Sequence, residues 1–314
     1  MTQAQGYRST LKMGFETVYN TAPTDAILVP IQKSNIKSKQ NMIEDKTIRG
    51  RRDPAQPGLG NTDVSGNLVV PLDVFGIGNF LKGIFGNPTT TAGTGILHNH
   101  EFKPSFFQPS LTFEQGFTDI GQYFVYSGCK ISKLGIDFGG DGELTASIDV
   151  MGAKEVIASS SIDITPTTYS LVKFGNFQAS IKEAGVNIAN ITKCSVNIDC
   201  GLDGDTYVIG GQGFRGSVNE GIMNISGSIT ALFENRALLD KAMSGTKSSI
   251  ELNVVNGTNS LAIKLPEVMY ERNSPSIDGA KGVLVELNYK AFWDTSADNA
   301  AIVVTLVNSQ ESYA

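Results

Sequence analysis

Two stretches far apart in the chain share one plan. DVSGNLVVPLD (63–73) and NISGSITALFE (224–234) are strand-like runs with a Ser-Gly pair near the start, and Ser65-Gly66 and Ser226-Gly227 stand 161 residues apart (226 − 65). Each run leads at once into helical periodicity, VFGIGNFLKGIFG (74–86) and ENRALLDKAMSG (234–245), the clearest such segments in the sequence. A unit recurring at one spacing restricts the fold strongly, because each copy must bury the same faces. A late hairpin follows each helix, at 134–150 and 268–291, and upstream LVPIQKSNIKSKQN (28–41) and FQASIKEAGVNIAN (177–190) occupy corresponding places. The reading is two tandem modules, 1–155 and 156–314.

Elsewhere the pattern is that of strands. In 130–150, KISKLGIDFGGDGELTASIDV, Leu134, Ile136, Phe138, Leu144, Ala146, Ile148 and Val150 share one face. Asp137, Glu143, Thr145, Ser147 and Asp149 share the other, the period of two expected of a half-buried strand. Gly139-Gly140-Asp141-Gly142 supplies the turn. In the later hairpin Val283, Val285, Leu287 and Tyr289 alternate with Leu284, Glu286, Asn288 and Lys290. Alternating runs at this density predict a mainly β protein of sandwich or barrel type.

Composition narrows the function. With 40% hydrophobic and 18% charged residues the chain folds, and no apolar run approaches a spanning helix. The opening MTQAQGYRSTLK has no apolar signal core, which predicts synthesis in the cytoplasm without a membrane segment. Cys129, Cys194 and Cys200 form no C-x-x-C pair and read as buried free thiols. A net charge of −6 argues against a surface that grips phosphate.

ITKCSVNIDCGLDGDTYVIGGQGFRGSVNEGIMNISGSITALFENRALLDKAMSG (191–245) resembles the major tail tube proteins of long-tailed bacteriophages, matching at 195–201, 227–234 and 237–245. KQNMIEDKTIRGRRDPAQPGLGNTDVSGNLVVPLD (39–73) and FGGDGELTASIDVMGAKE (138–155) are similar to the same family, so the resemblance spans about 40–155 and 180–295. It implies two tail-tube-like β-sandwich modules, each with a short flanking helix, whose strands join those of neighbours into a closed β-barrel ring. Stacked rings would form the conduit for DNA ejection into the host. The implied partners are further copies of the chain and other tail proteins (tape measure, tail terminator, distal tail), with DNA in transit and not bound. The implied place is the virion tail. On this reading Asp137, Glu143, Thr145, Ser147 and Asp149 face the lumen, where carboxylates repel phosphate over about 8–10 Å. If rings hold six modules, three two-module chains close one, a trimer favoured over a hexamer of chains. The charged, aperiodic loop 44–61 carries Arg49, Arg51, Arg52 and Asp53, expected at the junction between rings.

Other features offer little chemistry. His98 and His100 in LHNHEF (97–102) lack a third ligand and read as a surface loop; DCGLDGD (199–205) lacks the spacing of a calcium loop and reads as a turn. GIGNFLKG (76–83) is better a packed helix than a phosphate loop. Neither histidine comes with a nucleophile motif, so the chain is not expected to be an enzyme or to need a cofactor or metal. Alternatives are a tail-tip or baseplate hub protein on the same fold, distinguished by copy number in particles, and a secreted β-sandwich ligand-binding module, for which the lone Trp293 in KAFWDTS is thin support.

Overall fold

The computed structural model describes residues 3–277 and 279–313. It is mainly β, with two helices. The first half runs β1 (Ser9–Phe15), β2 (Ile27–Val29), β3 (Lys33–Ser34), β4 (Lys37–Ile43), β5 (Gly58–Pro71), α1 (Gly76–Phe85), β6 (Thr89–Ala92), β7 (His98–Phe102), β8 (Leu111–Phe117), β9 (Gln122–Phe138), β10 (Thr145–Gly152) and β11 (Lys154–Ala158). The second half runs β12 (Ala179–Glu183), β13 (Val186–Asn187), β14 (Ile191–Asp199), β15 (Asn224–Leu232), α2 (Ala237–Ser244), β16 (Ser248–Asn256), β17 (Asn259–Tyr270), β18 (Leu284–Ala291) and β19 (Val303–Asn308).

In the first half β9 serves two layers. Its early part pairs with β8 and β11, and β8 with β1; its late part pairs with β10, and β10 with β5 and then β4. The second half repeats this order: β12–β16–β17–β19 in one layer, β14–β15–β18–β17 in the other. Irregularities repeat as well. A register shift at Leu111/Phe113 has its counterpart at Ser248/Ile250. The Asn67 amide donates to Asn35 Oδ1, and the Ser228 amide donates to Ser195 Oγ at 2.9 Å. Beside each pair lies a glycine, Gly66 or Gly227, where a Cβ would lie 2.4 Å from Ile36 Cα or 2.0 Å from the Ser195 carbonyl oxygen. The second half's counterpart of β4 is therefore β14, at 191–199. The sequence reading that matched 28–41 with 177–190 is corrected: 179–183 forms β12, the counterpart of β1, and pairs with β16. Local similarity does not find the register, because what fixes it is contact between strands, Asn35 with Asn67 and Ser195 with Ser228.

The halves are sewn together. β9 pairs with β14 from Lys133↔Asp199 to Phe138↔Cys194, giving one continuous layer ordered β4–β5–β10–β9–β14–β15–β18. β19 returns to pair with β7 of the first half. Tyr313 then packs under α1, its hydroxyl donating to the Phe75 carbonyl at 2.8 Å and accepting from Asn308 Nδ2. The sheet of a single chain is open, not closed into a barrel.

The hairpin alternation holds: Leu134, Ile136, Phe138, Leu144, Ala146, Ile148 and Val150 are all buried. α1 spans 76–85 within the expected 74–86 and buries Ile77, Phe80, Leu81, Ile84 and Phe85 against the layers. At the N-terminus of α1 Asp73 accepts the Gly76 amide at 2.7 Å. α2 buries no residue fully, and the second half has no counterpart of β6 and β7, which separate α1 from β8 in the first. The HNH segment is corrected: it is β7, not a surface loop, and His100 is fully buried, its ring bonded to Thr90 Oγ1 and the Gln310 carbonyl, both at 2.9 Å. All three cysteines are free and buried.

Candidate functional site

The continuous layer has one face in the core and one face bare. Along β10 and the end of β9 the bare face carries Thr145, Ser147, Asp149, Lys133 and Asp137. β14 adds Lys193, Ser195, Asn197 and Asp199; β15 adds Ser226, Ser228 and Thr230; β18 adds Glu286, Asn288 and Lys290. Short hydroxyl and amide side chains dominate, and they bond to one another across strands. Asn67 Nδ2 donates to Ser147 Oγ at 2.9 Å and to Asp149 Oδ1 at 2.7 Å. Ser195 and Ser228 hydroxyls lie 3.2 Å apart. Such pairs fix the face as a smooth polar surface with few long side chains.

The five residues expected on the polar side divide. Thr145, Ser147, Asp149 and Asp137 stand on the sheet face, while Glu143 lies before β10 in the turn, tied to Lys173 and accepting from Gln32 Nε2 at 2.6 Å. The hairpin alone reads as acidic. In the assembled sheet Asp63, Asp137, Asp149, Asp199 and Glu286 share the face with Lys37, Lys39, Lys133, Lys193 and Lys290, so carboxylates and lysines balance. Lys133 bridges the two halves, its Nζ 3.1 Å from Asp199 Oδ2. The hydrogen bond from Lys133 and the charge of Asp199 favour the ionised forms: Lys133 is held above the ordinary lysine value. Burial works against the Asp199 carboxylate, but the Gly201 amide and Lys133 outweigh it and hold the group below its ordinary value.

The loop with Arg49, Arg51, Arg52 and Asp53 is the exposed tip of the β4–β5 hairpin. Arg49 pairs with Asp45, and Arg51 with Asp53 at 2.7 Å, so these charges are partly met within the loop. Apolar side chains stand bare beside them, Ile48 at 96% exposure and Met42 at 73%. A solvated loop gains nothing from exposing such groups.

The corresponding connection of the second half, 200–223, behaves differently. It lies on the first half and is held there by Arg215, a residue that no sequence motif marks. Its guanidinium donates to the Gly204 and Gly152 carbonyls at 2.6 and 2.8 Å, to the Val64 carbonyl at 3.3 Å, and pairs with Asp63. Glu220 takes Lys130 at 2.6 Å and the Gln108 amide at 2.9 Å. The DCGLDGD stretch is a turn, with Asp199 and Asp203 accepting the amides of Gly201 and Asp205. Among the described residues no cluster of His, Cys, Asp and Glu could hold a metal ion, and no helix is long and apolar enough to cross a membrane.

The layer thus presents a polar face, a bare β4 edge and a charged hairpin tip. No curated protein matches the chain. The sequence profile described as "Phage tail tube protein" matches residues 6–291, nearly the whole chain. The chain belongs to the phage tail tube protein family, a family of structural proteins of the virion tail.

Proposed function

We propose that the chain is the major tail tube subunit, assembling with copies of itself into stacked rings that form the conduit for DNA ejection. The observation that carries this reading is the layer β4–β5–β10–β9–β14–β15–β18–β17, polar on one face, with β4 bare along one edge and the end of β17 with residues 271–274 along the other. Bare edges invite further strands, and a layer extended through identical copies closes when its curvature completes a turn. Inside the ring the hydroxyl, amide and carboxylate side chains, including Asp137, Thr145, Ser147 and Asp149, line the lumen and let DNA slide without binding it. The turn residue Glu143 sits at the rim of that face. The hairpin tip with Arg49, Arg51, Arg52 and Asp53 reaches the next ring, where Ile48 and Met42 are covered.

The two halves act as two tube modules, 1–155 and 156–314, set side by side by the β9–β14 seam. Three chains then close a ring that six single modules would otherwise build. Electron microscopy of the purified protein tests this. Expected are hollow tubes whose end-on projections are threefold at side-chain detail and sixfold when blurred. Identical features every 60° would defeat the two-module ring, and a protein that stays monomeric at high concentration would defeat the tube reading.

A further inference from the structure

The edges of the polar layer can be matched to each other through the seam already formed inside the chain. At that seam the end of β9 lies against β14, with Lys133 opposite Asp199 and their charged groups 3.1 Å apart. The repeated hydrogen bonds transfer this geometry. Asn35 corresponds to Ser195, since each accepts the amide of the matching residue on the next strand; counting along both strands, Lys39 corresponds to Asp199. Asp149 lies opposite Asn67, and Asn288 lies opposite Ser228, the counterpart of Asn67. Lys133 pairs with Asp149 and Glu271 with Asn288, the Glu271 amide donating to the Asn288 carbonyl at 2.8 Å. Glu271 therefore corresponds to Lys133. Where the inner seam has Lys133 against Asp199, its copy between chains has Glu271 against Lys39: the same ion pair with its charges exchanged.

We propose that the chain's outer edges join in this register, residues 270–274 of one copy lying antiparallel to 36–40 of a second copy, with Glu271 paired to Lys39 of the second copy. This deepens the tube reading and rests on it. Lys39 and Glu271 are both exposed, and Asn288 Nδ2 already holds the Glu271 carboxylate at 3.1 Å. Lysines on a bare edge normally discourage pairing, and an acidic group on the opposing edge turns that guard into a selector for one partner and one register. Lys37 falls opposite Asn273 in this register, so it meets no like charge. Arg272 falls opposite Ser38 on the other side of the strand.

The backbone pattern supplies the test. The Cys200 amide donates to the Ser132 carbonyl, so the neighbouring Lys133–Asp199 pair is a non-hydrogen-bonded one, whose Cα atoms lie about 4.5 Å apart. That separation suits a disulfide. The double variant K39C/E271C, assembled and mildly oxidised, should lose most of its monomer on a non-reducing gel to a ladder ending at the number of chains in a ring. K37C/E271C, displaced by two residues, should link at least tenfold less. The native thiols do not interfere, being buried, with Cys194 and Cys200 pushed up to about 12 by that burial. Tubes in which K39C/E271C stays monomeric, or in which both variants link equally, would overturn the register and leave the tube reading standing. Wild-type protein that forms no tubes under the microscope overturns both. If the cysteine variants fail to assemble, the exchange K39E/E271K decides: it should assemble while K39E alone does not, and equal failure of the two overturns the pair.

Discussion

Replacing Gly227 by alanine should strongly destabilise the unassembled subunit. A Cβ there would lie 2.0 Å from the Ser195 carbonyl oxygen and 2.5 Å from Tyr289 Oη, where real contacts are not shorter than 3.0 Å. The clash is with backbone on one side and a buried tyrosine on the other, so neither yields as a flexible tip would. Relief requires β14 to move about 1 Å from β15, which costs about 1–3 kcal/mol as overpacking. It also strains the bond from Tyr289 Oη to the Ser195 carbonyl, 2.7 Å long, and a buried hydroxyl left unpaired costs about 1–3 kcal/mol. The expected loss is about 2–4 kcal/mol, or a urea midpoint lower by about 1–2 M at a slope of about 2 kcal/mol/M. Gly66→Ala should behave alike, since its Cβ would meet Ile36 Cα at 2.4 Å. Gly135→Ala is the control. Its Cβ would meet only the tip of Asn197 at 3.0 Å, and its effect should stay within about 0.5 kcal/mol. A Gly227→Ala midpoint indistinguishable from that of Gly135→Ala refutes the claim that close strand approach is what these glycines permit.

Arg215→Met should lower stability by about 2–4 kcal/mol, since the Val64 and Gly152 carbonyls lose their donor, and hydrogen exchange should rise selectively in 200–223; uniform exchange would place the arginine outside any clamp. Burial holds the His100 imidazole below the ordinary 6.5 despite its bond to the Gln310 carbonyl. Its contribution to stability is full above 6.5 and lost as pH falls towards the folded value, so thermal midpoints should drop as pH is lowered below 6.5 and do so less in H100Q. Changing Asp137, Glu143 and Asp149 together to Lys should leave tails of normal length but slow DNA ejection, and an unchanged rate removes these residues from the lumen wall. Shortening the hairpin tip within 46–55 spares the β4–β5 pairs up to Ile43↔Gly58, so the subunit should stay folded while long tubes fail to form; long tubes from this variant exclude the tip as a junction.

What local pattern encodes was legible. Period-two alternation located 134–150, and a broad apolar stripe located α1, because burial on one face leaves its mark within a few residues. Pairing between distant strands leaves no such mark. β4 reads Lys-Ser-Lys-Gln-Asn-Met-Ile, almost without apolar alternation, since neither of its faces is buried and one of its edges meets nothing in the chain. His100 was misread for a related reason: its burial depends on β19, some two hundred residues later. The polar face is legible in one hairpin, with Lys133 beside Asp137, but its charge is overstated there, because Lys193 of β14 and Lys37 and Lys39 of β4 join the face only through pairing of distant strands.

The most informative difference between the halves lies in the connections from β4 to β5 and from β14 to β15. They join corresponding strands, yet one is a bare charged tip and the other a clamp with a buried arginine. The β14–β15 connection has the first half of its own chain beside it, and Arg215 and Glu220 are spent on carbonyls, Asp63 and Lys130 of that neighbour. The β4–β5 connection stands at the β4 edge of the layer, and the 200–223 segment reaches only the base of its hairpin, where the Thr62 amide donates to the Gly213 carbonyl at 2.8 Å. Its arginines turn to Asp45 and Asp53, and Ile48 stays bare. The two corresponding connections thus differ where one lies against the chain itself and the other stands at an open edge. The physical difference is supply of a partner: donors beside the Val64 and Gly152 carbonyls are satisfied within the chain, whereas Ile48 at the open edge stays uncovered.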